Sequence, residues 1–451
     1  MVTGTGYQRM SQTSTPLLLA IFVCLLNGTQ ANAKGFADRI EFSGLFEIEL
    51  AVETSSSKTQ KAEFVLTPEI GLDLTAATRL TLITRFRGDI VDNLEPGTPA
   101  QHNRSSLSKQ LELENHLSGE LREAYIDTEI GKTFLRLGKQ QVVWGQTDGL
   151  KVLDVINPQS FREFILDDFD ESRIPLWMVN AEIPVAGAFL QLLWIPDQTY
   201  DDIPETEAAF AFTSPQIIPE PPTGLPIISS TFDKPNRLFA DSDLAAKLTW
   251  FINGWDLSLN YVYHYSDRPM GRRRISSSGI SIEQSYERTH LLGGTFSNVF
   301  GDLTLRGELG YSSDRFYLVD TLADADGLTH SGEFSYVLGL DYQGWTDWFI
   351  STQIFQSIVI PSAPGMIRDE VDTTVTLLVQ RDFLNESIQA ETLLIQNLNQ
   401  GDGLLQASLE YEWRTNIRLK LGADIFYGNP EGLFGQFRQQ DRISMGIEIG
   451  Y

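Results

Sequence analysis

Apolar and polar residues alternate with a period of two along most of the chain from Lys34 onward. About eighteen such segments of roughly ten residues each can be marked, which is the length that a tilted membrane-spanning strand requires. Period-two alternation is typical of half-buried strands, so the chain is predicted to be all-β. The last segment is the clearest, with one apolar face (Ile443, Met445, Ile447, Ile449, Tyr451) and one polar or small face (Ser444, Gly446, Glu448, Gly450).

The connections between these segments alternate between short and long. The short ones lie near residues 76–78, 130–132, 186–187, 253–254, 300–302, 343–345, 384–386 and 414–416. The long ones lie near residues 54–61, 90–120, 145–175, 197–240, 266–288, 312–331, 358–370, 398–403 and 428–441. Outer-membrane barrels have short periplasmic turns and long extracellular loops, whereas a β-sandwich has no reason to sort its loops this way. The sequence therefore predicts a transmembrane antiparallel β-barrel whose closing strand is the last segment.

The number of strands is predicted less sharply than the fold. The fourth segment (121–128), the fifth around Lys139 and the seventh (189–195) alternate irregularly, as a β-bulge or an apolar patch facing the lumen would produce. Because bacterial outer-membrane barrels have an even number of strands, we expect about eighteen strands, with sixteen as the alternative.

The first 33 residues are predicted to be a cleaved secretory signal peptide. Arg9 precedes an apolar stretch from Leu17 to Leu26, and Ala31-Asn32-Ala33 supplies a small-x-small cleavage pattern. The apolar stretch is about ten residues long, well short of the ~20 that a spanning helix needs. We therefore expect a mature chain of residues 34–451 that forms one barrel in the bacterial outer membrane and that has lost Cys24 with the signal.

Composition removes several kinds of chemistry. A mature chain without cysteine has no disulfide, no thiol nucleophile and no sulfur-ligated zinc. The net charge of −26 argues against nucleic acid as a partner. No cofactor is predicted, and the expected partners are outer-membrane lipid, lipopolysaccharide and a small-molecule solute.

A barrel of sixteen to eighteen strands encloses an aqueous lumen, so passage of a solute is the expected function. Arg85, Arg87 and Asp89 on the third segment and Arg306 and Glu308 on the eleventh occupy inward positions of the alternation. Facing Arg and acidic residues create a transverse field that sets charge preference. The alternative is that these charges only neutralise one another at little gain in stability.

The loop from residue 145 to residue 175 is predicted to fold into the lumen as a constriction. It is long and carries apolar residues, among them Val152, Leu153, Phe161 and Phe164, that need cover from water. The charged residues expected to line the resulting eyelet are Arg162, Asp167, Asp168, Asp170, Glu171 and Arg173. A calcium site among these carboxylates is a weaker interpretation, because no twelve-residue ligand loop with its glycine is present, and no metal site is predicted.

The segment RLGKQQVVWGQTDGLKVLDVINPQSFREF, followed by SRIPLWMVNAEIP, resembles a family of porin-like proteobacterial outer-membrane proteins catalogued only as a domain of unknown function. The resemblance implies a porin-like barrel that is often associated with inner-membrane exporters of the resistance-nodulation-division type and with periplasmic lipid-carrier-like proteins. It brings no substrate and no catalytic residue.

We therefore expect a porin-like channel for the passive passage of small solutes, including amphipathic ones. One alternative is a channel for hydrophobic or lipid molecules that works with an inner-membrane exporter, to which inward apolar residues would be suited (Phe189, Leu193, Ile195, Phe349, Phe355). A minor alternative is an outer-membrane hydrolase, for which Ser258 with His264 is one conceivable pair, but the nucleophile-elbow glycines are missing. The triplet Arg272-Arg273-Arg274 suggests either contact with lipopolysaccharide phosphates or a solvated loop.

Overall fold

The computed structural model describes residues 39–147, 150–218, 226–320 and 326–451. The predicted signal peptide, residues 1–33, lies outside them. Eighteen of the described strands form one closed antiparallel barrel. Numbered in chain order together with the strands of the loops, the barrel strands are β1 (Ile40–Glu53), β2 (Thr59–Thr75), β3 (Thr78–Asp89), β5 (Leu117–Ile130), β6 (Thr133–Gln140), β7 (Leu176–Val185), β8 (Ala188–Ile195), β10 (Asp243–Ile252), β11 (Trp255–Tyr265), β14 (Arg288–Phe300), β15 (Leu303–Leu318), β16 (Leu328–Tyr342), β17 (Trp348–Ile360), β18 (Val371–Phe383), β19 (Ile388–Asn397), β20 (Gly403–Arg414), β21 (Ile417–Tyr427) and β22 (Arg442–Gly450).

The loops contribute four further strands and two short helices. These elements are β4 (Leu111–Glu114), β9 (Ile227–Asp233), β12 (Met270–Ser276), β13 (Gly279–Ser285), the helix α1 (Phe169–Ser172) and a 3₁₀ helix, η1 (Gly435–Phe437). Strand β4 pairs only with β5, whereas β9, β12 and β13 form a separate three-stranded sheet in which β9 runs parallel to β13. No helix among the described residues is long and apolar enough to cross a membrane.

The barrel closes through antiparallel pairing of its first and last strands, from Leu45 with Gly450 to Glu53 with Arg442. The alternation predicted for the last segment is seen in the accessibility of β22, where Ile443 and Met445 are exposed on the outer surface and Arg442 is buried. The predicted all-β antiparallel barrel of about eighteen strands is therefore confirmed, and the alternative of sixteen is wrong.

The irregular fourth segment contains the extra residue that its pattern suggested. The register of β3 with β5 shifts between Ile83 and Thr84, so that Arg122 of β5 has no opposite partner. In β6 Gly138 has a φ of +135°, and a Cβ at this position would lie 2.1 Å from the carbonyl oxygen of Ala124. Only glycine fits so close to a neighbouring backbone.

The connections sort by length onto the two ends of the barrel. At the short-turn end β7 and β8 are joined by Ala186-Gly187, and β10 and β11 by Asn253-Gly254, all four residues with positive φ. Consecutive positive φ values match the type I′ turns that fit the twist of a two-residue hairpin. The long loops all leave the opposite end, which we call the long-loop end.

Apolar residues of the long loops cover parts of the inner wall in two clusters. The first cluster consists of Val142, Trp144, Val152, Leu153, Ile156, Leu176, Met178, Leu193, Ile195, Ala245, Val262, Leu291 and Val337. The second cluster consists of Leu94, Phe161, Phe164, Phe210, Phe212, Ile395, Leu404, Phe426, Phe434 and Phe437. Both clusters combine loop residues with inward-facing strand residues, so the lumen of this barrel is partly filled.

Candidate functional site

The connection between β6 and β7, residues 141–175, contacts the inner wall of the barrel along its length, and we call it the infolded loop. Residues 148–149 lie outside the described part of the chain. Leu153 and Ile156 belong to the first apolar cluster, and Phe161 and Phe164 belong to the second. The loop therefore touches two different parts of the wall, one after the other.

Two charged residues of β15 hold the first part of the infolded loop. Glu308 accepts hydrogen bonds from the backbone nitrogens of Thr147 (3.1 Å) and Leu153 (3.0 Å) and from Thr147 Oγ1 (3.0 Å). Arg306 donates to the carbonyl oxygen of Gln146, and its Nε lies 2.9 Å from Oδ2 of Asp341. Glu308 is only 1% exposed. The charge predicted at this position thus binds the backbone of the loop and is shielded from the lumen.

Leu153 fills a space that two glycines of the wall leave open. A Cβ on Gly310 of β15 would lie 3.1 Å from Cγ1 of Val152 and 3.4 Å from Cδ2 of Leu153. A Cβ on Gly293 of β14 would lie 2.5 Å from the same Leu153 atom. Since Leu153 is fully buried, the loop and the wall fit together closely here. Packing of this density is sensitive to single added methyl groups.

A network of buried ion pairs joins the later part of the loop to another section of the wall. Glu163 lies 2.6 Å from Nζ of Lys61 in β2 and 2.6 Å from Nη1 of Arg442 in β22. Arg162 pairs with Glu63 of β2 and lies 3.2 Å from Glu163. Strands β2 and β22 are the second and eighteenth strands of the described barrel, and β15 is the eleventh. The infolded loop is therefore tied to opposite sides of the bore.

Two carboxyl groups of this part of the loop have opposite electrostatic surroundings. Burial favours the neutral form of Glu163, but Lys61, Arg442 and Arg162 outweigh burial and hold the pKa of Glu163 well below its ordinary value. Burial together with the charge of Glu163 raises the pKa of the nearby half-buried Asp167 to about 7. Asp167 is therefore a carboxyl group of the loop that titrates near neutral pH.

Phe164, which lies between Glu163 and Asp167 in the chain, fixes this part of the infolded loop. Its ring centroid lies 4.7 Å from that of Phe437 and 5.8 Å from that of Phe434, both in the loop before β22, and 6.1 Å from that of Phe426 in β21. Its φ of 57° is unusual for a residue with a bulky side chain. The surrounding aromatic contacts hold the backbone in this conformation.

The end of the loop returns to β3 and β5. Glu171 of α1 lies 2.9 Å from Nη1 of Arg85, and its carbonyl oxygen accepts a hydrogen bond of 3.1 Å from Arg122. Arg173 lies 2.8 Å from Asp154, so the two arms of the loop are bound to each other.

The structure distributes the predicted pore residues over three environments. Arg87 lies 3.5 Å from Glu63, and Asp89 lies 3.6 Å from Arg162, so both join the ion network described above. Arg306, Glu308, Arg85 and Arg173 bind the loop or connect its arms. The remaining residues are Asp167, which is half-buried, and Asp168 and Asp170, which are exposed. Their role as pore-lining residues stays a prediction.

Several residues of the ion network were absent from the prediction. Glu63 is on the polar face of the second segment and Arg442 begins the last one, so both occupy inward positions of the alternation. Lys61 falls at the end of the connection predicted over residues 54–61. Glu163 directly follows the predicted Arg162. The sequence does not indicate which loop residue forms an ion pair with which wall residue, because the paired residues are far apart along the chain.

Other candidate residues take structural positions. Ser258 donates to Oδ1 of Asn260 and contacts Thr295, and it stands six residues from His264 along the same strand, about 20 Å away at the usual rise per residue. Arg272 lies 2.6 Å from Glu287, and Arg274 lies 3.2 Å from Glu283. Two arginines of the triplet therefore already have acidic partners.

Three of the five inward apolar residues pack against other residues of the described chain. Leu193 and Ile195 belong to the first apolar cluster, and Phe355 packs against it. These three side chains cover the infolded loop, whereas Phe189 is exposed.

A cavity of about 1050 Å³ lies between the infolded loop and the other long loops. We call it the vestibule. Its floor includes Lys151, Asp154 and Phe161 of the infolded loop. Its walls come from the loop that follows β3, from the long β8–β10 loop with β9, and from residues 264–271 and 314–318. A solute that enters from the long-loop end reaches this volume before it reaches the infolded loop.

A closed barrel of eighteen described strands, with a long loop tied across its bore, defines a porin-like β-barrel. The chain belongs to the family described as "Protein of unknown function (DUF1302)", which matches residues 87–354. No curated protein matches the chain.

Solved structures of porins are similar in fold. Acinetobacter baumannii OccAB2 is 11% identical, with a TM-score of 0.53 over 93% of this chain and 99% of that one. Salmonella typhi OmpF in complex with daunomycin is 10% identical, with a TM-score of 0.42 over 91% of this chain and 97% of that one. A mutant Rh. blastica porin is 12% identical, with a TM-score of 0.40 over 91% of this chain and 100% of that one. At 11% identity the likeness to OccAB2 shows a shared fold and nothing more.

Proposed function

We propose that the protein is a non-enzymatic, porin-like channel of the bacterial outer membrane that passes small solutes passively, including amphipathic ones. The observation that carries the proposal is the infolded loop, which is bound to β15 on one side of the bore and to β2 and β22 on the other. A barrel of this size encloses an aqueous lumen, and a loop fixed across it narrows the passage.

In this proposal the short-turn end faces the periplasm and the long-loop end faces the medium, as in other outer-membrane barrels. The mature chain begins after residue 33, and the apolar outer face contacts membrane lipid and lipopolysaccharide. Asp168 is exposed on the infolded loop and would favour cations at the constriction. Asp170 is also exposed, but its charge is compensated by Arg173 at 2.5 Å. The buried charges and the half-buried Arg87 would act by holding the loop in place; the buried ones are Arg85, Asp89, Arg162, Arg173, Arg306 and Glu308.

The test is the conductance of the refolded protein in a planar lipid bilayer, with the reversal potential measured in a salt gradient. Folding is checked first, by the change in electrophoretic mobility that a folded barrel shows on heating. We expect steady current with cation preference. Removal of residues 160–172 should raise the conductance, because this segment carries the contacts to β2 and β22. A folded barrel that carries no current would overturn the proposal.

A second candidate is the passage of hydrophobic or lipid molecules in concert with a periplasmic carrier and an inner-membrane exporter, the partners that the family resemblance implies. One observation favours it: much of the vestibule wall is apolar, including Ile203, Ile217 and Phe316. The conductance measurement separates the two candidates, since a folded barrel without ionic current but with transfer of a fluorescent fatty acid between vesicle populations would support the second.

A further inference from the structure

We propose that the vestibule binds an amphipathic cation, whose apolar body lies against Phe232 and Phe316 and whose cationic group lies beside Asp267. The inference rests on the proposed channel function, because it names the class of solute that the channel would take.

The vestibule has an aromatic wall that is held in place by other rings. Tyr286 stacks on Tyr200 with 3.8 Å between ring centroids, and Phe232 meets Tyr286 edge-on at 5.7 Å. Phe232 itself is 40% exposed, so its ring is open to a ligand. Apolar surface that remains accessible inside a cavity favours an apolar ligand, because covering it removes that surface from water. Other apolar residues extend the wall: Ile203, Ile217, Ile227, Met270 and Ile282.

The charges around the cavity are predominantly negative. Nine of the described lining residues are Asp or Glu, and four are Lys or Arg. All four cations already have an acid within 4 Å: Lys151 has Asp154 (3.0 Å), Arg268 has Asp201 (3.6 Å), and Arg315 and Arg368 have Glu333 (3.3 and 3.8 Å). Asp267, by contrast, has no ion pair within 4 Å among the described residues. An incoming cation therefore finds a carboxyl group that has no ion pair of its own, whereas an anion finds only cations that are already paired.

Asp154 on the floor provides a second, independent indication of a ligand with positive charge or N–H donors. The residue is only 7% exposed. Its Oδ2 is bound by Arg173 at 2.8 Å and by Lys151 at 3.0 Å, but its Oδ1 has no hydrogen-bond partner among the described residues. A buried acceptor without a partner is costly, so a donor delivered by a ligand would be favourable at this position.

The backbone at Asp267 is fixed, so its carboxylate has a defined place. The carbonyl oxygen of Asp267 accepts a hydrogen bond of 3.2 Å from the backbone nitrogen of Asp201, and Ser266 donates to the carbonyl oxygen of Glu287 at 2.9 Å. Burial and the like charges of Asp201 and Asp243 outweigh the charges of Arg315 and Arg268 and raise the pKa of Asp267 well above its ordinary value, so this carboxyl group holds its proton to a higher pH than usual. A bound cation would favour the charged form of Asp267 and would displace that proton.

The experiment uses the refolded full barrel and three probes that separate charge from apolar body. Benzyltrimethylammonium carries both features, tetramethylammonium carries only the charge, and benzenesulfonate carries the ring with the opposite charge. Binding is measured by titration calorimetry in a non-ionic detergent. We expect benzyltrimethylammonium to bind about tenfold more tightly than either of the other two, which is about 1.4 kcal/mol.

Two variants assign the binding to the proposed residues. Asp267→Asn should weaken benzyltrimethylammonium binding about tenfold, because the charge is lost while the shape is kept. Asp233→Asn is the matched control: Asp233 follows Phe232 in β9, is exposed, and does not line the vestibule. Phe232→Ala should weaken the binding of benzyltrimethylammonium but not that of tetramethylammonium, and it covers the case in which Asp267→Asn fails to fold.

Equal affinity for benzenesulfonate, or unchanged benzyltrimethylammonium binding in Asp267→Asn, would overturn the proposed site. Conductance recorded on the same preparations keeps this result separate from the channel proposal. Ionic current without selective cation binding would support the channel proposal and contradict the proposed binding site. Selective cation binding in a folded barrel without current would support the binding site and contradict the channel proposal.

Discussion

Glu163 and Arg442 form an ion pair of 2.6 Å although 279 residues separate them along the chain. Glu163 belongs to the infolded loop, and Arg442 begins β22, which closes the barrel on β1. The same carboxylate also lies 2.6 Å from Lys61 of β2, on the other side of β1. One loop side chain thus joins two strands that flank β1. All three groups are buried, and without Glu163 the two cations would depend on their other acidic partners, Glu49 for Lys61 (2.7 Å) and Asp424 for Arg442 (2.8 Å).

Replacement of Glu163 by Gln should loosen the infolded loop. Removing one partner from a buried ion pair costs about 3–5 kcal/mol, because the remaining charges stay desolvated. We expect the folded, heat-modifiable form to be lost at a lower temperature, and the single-channel conductance to rise or to fluctuate between levels. Both are measured on the refolded variant.

The matched control for this variant is Glu431→Gln. Glu431 is exposed in the loop before β22, and the described contacts of this residue are made by its backbone. Its replacement should change neither the thermal transition nor the conductance. If Glu163→Gln behaved like the control, the ion network would not be what holds the loop.

Gly310→Val should displace the first part of the infolded loop. A Cβ at this position would already lie 3.0 Å from Leu291 and 3.1 Å from Val152, so a branched side chain has no room. Overpacking of this kind costs about 1–3 kcal/mol. We expect increased protease cleavage within residues 150–166, detected by mass spectrometry of limited digests.

Gly450→Val serves as the comparison, because a Cβ on this β22 glycine would meet nothing within 4 Å. It should leave the digestion pattern as in the original protein. Equal protection of the loop in both variants would show that Leu153 can move aside without leaving the wall.

The fold could be predicted from the sequence because each barrel strand carries its own local signal. In β11 the outward Leu259 and Tyr261 are exposed, and the inward Asn260 and Val262 that alternate with them are buried, as the period of two requires. The site could be predicted only in part. Arg306 and Glu308 occupy inward positions of the alternation, but their partners Gln146 and Leu153 lie more than 150 residues away along the chain. No periodicity encodes such a pairing.

Glycines illustrate the same difference. Gly310 is a small residue at an inward position, as the alternation predicts. A side chain is excluded there because Leu153 of the infolded loop occupies the space beside it. Similarly, Asp168 and Asp154 are both acidic residues of one loop, but the first is exposed and the second is almost fully buried. Burial of this kind depends on how the loop packs, and composition cannot distinguish the two.

Asp168→Lys should shift the ion selectivity without disturbing the fold. Asp168 is exposed at the start of α1, and its side chain makes no capping hydrogen bond there, so the replacement costs little stability. If the infolded loop constricts the pore, the change of two charge units should move the reversal potential toward that of an anion-preferring channel. Asp233→Lys, on the exposed β9, is the control and should leave the reversal potential unchanged.

Arg85→Glu should behave differently from Asp168→Lys, although both reverse a charge predicted to line the pore. Arg85 is buried and lies 2.9 Å from Glu171 of the infolded loop, besides pairing with Glu120. Its reversal would place a third acid beside Glu120 and Glu171, with Arg104 (3.4 Å) and Arg122 (3.8 Å) as the remaining cations near Glu120. We therefore expect a lower yield of refolded, heat-modifiable barrel. A well-folded Arg85→Glu protein with only a shifted reversal potential would show that Arg85 faces the open lumen.

Asp167 should make the selectivity depend on pH near neutrality. Burial and the charge of Glu163 raise its pKa from 3.8 to about 7, so the carboxyl group is neutral in acid and becomes charged as the pH rises through 7. Because the folded pKa is the higher one, the folded state gains stability from this group below pH 4, and loses that gain as the pH rises from about 4 to about 7. We expect cation preference to increase between pH 6 and pH 8, measured by the reversal potential at constant salt gradient. Asp167→Asn should abolish this step while Asp233→Asn keeps it, and a step that persists in Asp167→Asn would assign the titration to another group.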